Sequence, residues 1–270
     1  MDKLNVDGVN FTGEENVAKG FKEHFKKLAE HSNNTNFDNV YHEQVKEECK
    51  HISDIVSEKD VPPITPEELD KAISSMNRGK APDFYGITIE CVSNGGPVLR
   101  KTILKLLNAI LINGIVPDSL KIGILTPVFK NKESRNDAVN FRGITVLLVI
   151  EKFLESILKT RLVNTLEENQ SAFTANTSPL HAALIVEEIT RECKDSGSPV
   201  DLIFLEAKAA FDVVDHKHLL RRACHSGVVD RHWTTIDSIH KQAKSVVNGP
   251  THAQTRLKFN KASSRRDHDY

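Results

Sequence analysis

Apolar positions recur at helical spacing along most of the chain. Val17, Phe21, Phe25 and Leu28 fall on one face of residues 14–31, and a second helix is expected over about residues 41–52. The polar loop S-N-N-T-N at 32–36 parts them. A capping box announces the next helix. Thr65 is the cap, Pro66 takes the first helical position and Glu68 stands three residues after the cap; Leu69, Ala72, Ile73 and Met76 then form the apolar stripe and Gly79 the stop. Residues 98–113 line Leu99, Ile103, Leu106, Leu107, Ile110 and Leu111 along one side, and Asn113-Gly114 ends that helix. Residues 122–129 alternate and carry β-branched side chains, which predicts a strand. A helix over about 149–168 sets Phe153, Leu154, Ile157, Leu158, Leu162 and Leu166 on its core face. Ser178 and Pro179 open another, which carries Leu180, Ala183, Leu184 and Ile189. After D-S-G-S-P at 195–199, Val200 and the run Leu202, Ile203, Phe204, Leu205 read as a short buried strand. Two further helices are expected, one over about 217–225 with Gly227 beyond it and one over 231–247 with Trp233, Ile236, Ile239, Ala243 and Val246 on its stripe. The fold class is α+β, mostly helical, with a small mixed or antiparallel sheet of about three to five strands.

Composition narrows the class without naming a function. At 270 residues, with 39% hydrophobic and 27% charged residues, the chain has enough core for one large domain or two modest ones. The longest apolar run, residues 146–150, is far too short to cross a membrane, and M-D-K-L-N-V-D at the start has no apolar signal core. Four cysteines without a C-x-x-C pair favour reduced thiols in an intracellular protein, nuclear or cytoplasmic. Twelve histidines are present, but C-K-H at 49–51 and H-K-H at 216–218 lack partners at ligand spacing and read as surface or core polar residues. A net charge of −1 conceals an asymmetry. Residues 1–80 hold 11 basic against 16 acidic side chains, whereas residues 100–162 hold 11 against 5. The middle of the chain can therefore face a polyanion, and solvated helix faces explain the same excess equally well.

Candidate chemistry gathers where the run Leu202–Leu205 ends. It delivers the carboxylate of Glu206, followed by Phe211 and Asp212 on a turn or short helix. A carboxylate at a strand end suits metal chemistry; a plain strand entering a helix looks the same. Other segments keep a fixed order around it. G-K-A-P-D-F-Y-G-I-T at 79–88, I-V-P-D-S-L-K-I-G-I-L-T-P-V-F-K at 115–130, N-F-R-G-I-T-V-L at 140–147 and Q-S-A-F at 170–173 resemble fingers segments of the reverse transcriptases of non-LTR retrotransposons. V-D-L-I-F-L-E-A-K-A-A-F-D-V-V-D-H at 200–216 resembles their first palm motif.

The resemblance implies roles, residue by residue. Glu206 falls where the family has its metal-binding, catalytic Asp, Ala207 where a backbone carbonyl helps hold the ion, and Phe211 where a bulky ring screens out a ribose 2′-hydroxyl. Arg142 is implied to grip the triphosphate of an incoming nucleotide, with Lys130, then Lys132 or Arg135, as helpers. Outside that context Arg142 reads as a cap on a strand-to-helix turn. Residues 62–249 are then fingers and the start of a palm of a right-hand polymerase, preceded by an acidic helical extension at 1–61. A basic polar tail at 250–270, expected to be disordered, follows them. Mg²⁺ is the implied cofactor, and an RNA template and DNA primer are the implied partners.

The departures matter as much as the matches. Asp83, Phe84 and Tyr85 differ from the family pattern, Leu120 stands where it has Trp and Ala172 where it has Gly. Glu206 replaces Asp, and no aromatic-x-Asp-Asp motif occurs. Two-metal transfer needs ions roughly 3.5–4 Å apart, held by carboxylates from two palm motifs, and one extra methylene displaces an ion. The sequence therefore reads as a truncated reverse transcriptase, an RNA-directed DNA polymerase (nucleotidyltransferase) by family and inactive on its own. The alternative is a non-catalytic nucleic-acid-binding or helical interaction protein. The palm strand at 202–206 lacks the hairpin that ordinarily lies beside it, so an uncovered sheet edge and self-association are expected.

Overall fold

A computed structural model describes residues 2–29, 38–131, 133–162, 178–205, 214–247 and 257–260. The chain begins with a hairpin that the helical reading did not anticipate. Strands β1 (Lys3–Val6) and β2 (Val9–Thr12) pair antiparallel, with Val6 opposite Val9. Asp7 and Gly8 form the tight turn, both at positive φ, 51° and 87°. This is the Asp-Gly pair that a two-residue hairpin turn favours, flanked by alternating Leu4, Val6, Val9 and Phe11.

Helix α1 (Glu14–Ala29) lays its expected face on the main sheet. Phe21 meets Phe141 edge-on at 4.9 Å, and Val17, Phe21 and Phe25 share a core with Leu4, Leu125 and Val247. Helix α2 (Asn39–Ser57) is capped by Asp38. Helix α3 (Pro66–Ser75) has the capping box in full, Glu68 N donating to Thr65 Oγ1 and Thr65 N donating to Glu68 Oε2. The short α4 (Ile89–Ser93) is new to the sequence reading; α5 (Gly96–Asn113) ends at Gly114, in the left-handed region at φ 63°.

The main sheet has the order β4-β3-β5-β6. Strands β3 (Ile122–Phe129) and β4 (Phe141–Val146) are antiparallel, β3 and β5 (Lys244–Val247) are parallel, and β5 and β6 (Leu257–Asn260) are antiparallel. It is thus a small mixed sheet, one of the two forms expected, although of its four strands the sequence pattern predicts only β3. Helix α6 (Val149–Leu162) follows β4 directly and packs with α3, α5 and α9 (Arg231–His240) in the largest core, built on Leu107, Leu111, Phe153 and Leu154. A third core joins α2, α8 (His216–His225) and α9 through Val45, Cys49, Leu220 and Trp233. Each fully buried Leu, Phe or Trp contributes about 1.5–3 kcal/mol relative to exposure.

Three expectations are corrected. Leu202–Leu205 is not a strand: the segment pairs with no described strand, and Ile203, Phe204 and Leu205 are 84%, 82% and 94% exposed. An apolar run becomes a strand only where a neighbour accepts its backbone groups, and both sides of β3 are already taken by β4 and β5. The sheet edge expected at 202–206 is accordingly not formed by the described residues, and the edges are β4 and β6. Second, the helix read over 231–247 stops at His240. Gln242 turns the chain at φ 56°, and Lys244–Val247, with two adjacent valines, runs on as β5. Third, α7 (Pro179–Asp195) forms where Ser178 and Pro179 predict it, but its Leu180, Leu184 and Ile189 stay exposed because no described element covers them. The helix read over 149–168 is described to Leu162; its remainder lies outside the described residues.

Candidate functional site

The β3–β4 hairpin and its connecting loop carry the three candidate nucleotide contacts that the structure describes, Arg142, Lys130 and Arg135. Its register runs from Ile124 opposite Val146 to Phe129 opposite Phe141. The connecting loop is tied down from within: Lys130 N donates to Asn140 O at 2.8 Å, and the side-chain Nδ2 of Asn140 donates to Ser134 O at 2.9 Å. Because side chains alternate across a strand, the hairpin has two different faces. Phe129, Phe141 and Leu125 turn towards α1. Gly143 sits on that face for lack of space, since a Cβ there would meet the Phe25 ring at 3.0 Å.

The other face carries Arg142 opposite Val128, with Ile144 beyond, all three exposed. Among the described residues no side chain hydrogen-bonds or ion-pairs with Arg142, so its planar set of donors is open to a ligand. Lys130 is exposed as well, but its ammonium donates to Val139 O at 2.7 Å and so secures the loop. Arg135 lies over the Phe129 ring, 5.0 Å from its centroid. Lys121 is buried and paired with Asp118 at 2.7 Å, a structural role. Glu206, Ala207, Phe211 and Lys132 lie outside the described residues.

Two buried acids to which the sequence reading gave no role lie near this hairpin, in the 79–88 loop and the first turn of α6. Buried Asp83 accepts from Tyr85 N and Ile87 N through Oδ1 and from Val149 N through Oδ2, each at 3.0 Å. It therefore folds the 79–88 loop and caps the start of α6 at once. Glu151, buried in the first turn of α6, has its carboxyl pushed up to about 7 by burial and by the neighbouring Glu155, against the pull of Lys121 and Lys152. One of its oxygens has no hydrogen-bond partner among the described residues. The structure also gathers His42, Asp215 and His218 into a possible metal-ligating group, which no local spacing announced.

Over 58% of its length the chain is similar to proteins of non-LTR transposons. One relative is the transposon TX1 uncharacterized 149 kDa protein of Xenopus laevis, 24% identical over 162 residues, covering 58% of this chain and 12% of that protein. Another is the probable RNA-directed DNA polymerase from transposon X-element of Drosophila melanogaster, 27% identical over 165 residues, covering 58% of this chain and 18% of that protein. The matched regions are thus a small fraction of these relatives' length. No family model matches the chain. Among the described residues no helix is long and apolar enough to cross a membrane.

Proposed function

We propose that this chain is the fingers and the beginning of the palm of a right-hand RNA-directed DNA polymerase, and that its β3–β4 hairpin binds the triphosphate of a nucleotide. One observation carries the reading: Arg142 is exposed on the hairpin face turned away from α1, unengaged by any described side chain. A guanidinium in that state gives two parallel charge-assisted hydrogen bonds to phosphate oxygens without first breaking an internal pair. Lys130 and Arg135 add positive charge along the same loop, which favours a polyanion such as an RNA template or a DNA primer strand.

Nucleotidyl transfer asks for more than this grip. Two Mg²⁺ ions need carboxylates from two motifs, and Glu206 is the one acid of these 270 residues that the resemblance matches to such a ligand. That donor set does not make up a two-ion site. The chain by itself therefore binds nucleotide or nucleic acid without extending a primer.

The test pairs binding with turnover. Affinity for a deoxynucleoside triphosphate falls about 10- to 100-fold in Arg142→Ala, the loss of one bidentate contact, and less in Arg142→Lys. Primer extension on an RNA template is absent in both the chain as it stands and Glu206→Asp. Unchanged triphosphate affinity in Arg142→Ala would sink the assignment, and extension by either protein would overturn the claim of inactivity. Salt-sensitive RNA binding that ignores Arg142 would instead favour a non-catalytic nucleic-acid-binding protein.

A further inference from the structure

His42, from the first turns of α2, and Asp215 and His218, from the start of α8, converge so that their ligand atoms all lie within 4.8 Å of one another. We propose that these three side chains bind a divalent transition-metal ion, Zn²⁺ first, and that the ion staples α2 to α8. The argument rests on how the carboxylate is held. Asp215 is the N-cap of α8, its Oδ1 accepting from Lys217 N at 2.8 Å and from His218 N at 2.9 Å. That cap fixes the rotation of the carboxylate and turns its second oxygen towards α2, where Oδ2 stands 3.7 Å from His42 Nδ1. Such a separation is too long for a hydrogen bond. It is close to the spacing of two donors around one ion, since ligands bound to tetrahedral Zn²⁺ at 2.0–2.2 Å lie about 3.3–3.6 Å apart.

The rest of the cluster fits the same use. The ring of His218 lies nearly parallel to that of His42, at 15° and 5.9 Å between centroids, with the Tyr41 ring 5.2 Å from His218. The side chains of His42 and Asp215 are 7% and 11% exposed, whereas His218 is only half-buried and leaves a path of entry. Two imidazoles and one carboxylate select Zn²⁺ or a neighbouring transition metal over Mg²⁺ or Ca²⁺, which prefer oxygen-only sets. The fourth position falls to water. The helix so fastened, α8, directly follows in sequence the stretch that holds Glu206 and Phe211.

The experiment is a Zn²⁺ titration of the chelator-stripped full chain against a chromophoric competitor, with Co²⁺ in parallel for its visible d–d bands. One equivalent binds tightly, thermal unfolding moves to higher temperature, and Co²⁺ gives the intense bands of a four-coordinate site. His218→Ala and His42→Ala each weaken binding by at least about tenfold, and exposed His51→Ala leaves it unchanged. Asp215→Asn retains the helix cap while removing the anionic ligand, so it also weakens binding with the fold intact. Should His42→Ala fail to fold, His218→Ala and Asp215→Asn decide. Absence of a stoichiometric site in the unaltered chain, or undiminished affinity in His218→Ala, overturns the proposal.

Discussion

Truncating Arg161 should cost this fold about 2–3 kcal/mol. The guanidinium makes a two-pronged pair with Glu68, Nε to Oε1 and Nη2 to Oε2, both at 2.7 Å. It also donates to Pro62 O at 2.8 Å and to Pro63 O at 3.0 Å, and so ties α6 to α3 and to the segment before it. An exposed pair contributes at most about 1 kcal/mol, whereas removing one partner of a buried pair costs about 3–5. The side chains of Arg161 and Glu68 are 12% and 29% exposed, between those limits and nearer the buried one. Glu68 would keep only its cap contact to Thr65 N, and two proline carbonyls would lose a charged donor. For a domain of this size Arg161→Ala should lower the melting temperature by roughly 5–10 °C. Arg161→Lys should recover less than half of that, because an ammonium cannot repeat the fork. Thermal unfolding followed by circular dichroism reads both. A shift below about 2 °C for Arg161→Ala would refute the idea that this pair holds the two helices together.

Two further outcomes follow from the buried acids. Asp83→Ala leaves three backbone N–H donors without their acceptor, one at the start of α6, and should lower the urea-extrapolated stability by about 3 kcal/mol. Asp83→Asn, which keeps an acceptor for part of the set, should lose less. Glu151 carries the opposite sign from a salt-bridged acid. Its folded pKa of about 7 lies above an unfolded value near 4.3, so its contribution is fully present below about pH 4 and is lost as pH rises to about 7. Stability should thus fall by up to about 3–4 kcal/mol across that window, and Glu151→Gln should flatten the profile. An identical pH dependence in that variant would exclude Glu151 as its source.

Much of the helical frame was legible because helices declare themselves locally. The Thr65 cap, the α5 stripe and the β3 alternation depend on residues within one element, and each forms over nearly the range its pattern predicts. The β1–β2 turn was equally local in its Asp7-Gly8 pair, yet the hairpin lies in an acidic stretch where helical periodicity dominated the reading. Leu202–Leu205 and β5 failed for a different reason. Whether a short apolar run becomes a strand depends on which neighbour completes its ladder, and that neighbour is chosen elsewhere in the chain. The His42, Asp215 and His218 group is hidden in the same way, because α2 and α8 meet only through tertiary packing around Cys49 and Trp233.

The departures from the family pattern at 83–85 carry their own explanation. Asp83 draws in the backbone of its own loop and of α6, while Tyr85 Oη donates to Ser119 O at 3.0 Å, just before β3. Both contacts reach elements that flank the β3–β4 hairpin, one after β4 and one before β3. These residues therefore brace the elements on both sides of the hairpin that carries Arg142. Glu206 for Asp is a different kind of change, since it alters the length of the side chain proposed to reach the ion. Loss of triphosphate affinity in Arg142→Ala therefore tests whether the hairpin still holds a nucleotide, and primer extension in Glu206→Asp tests whether chemistry can follow. A positive first result with a negative second would show a hairpin that binds nucleotide in a chain that does not by itself extend a primer.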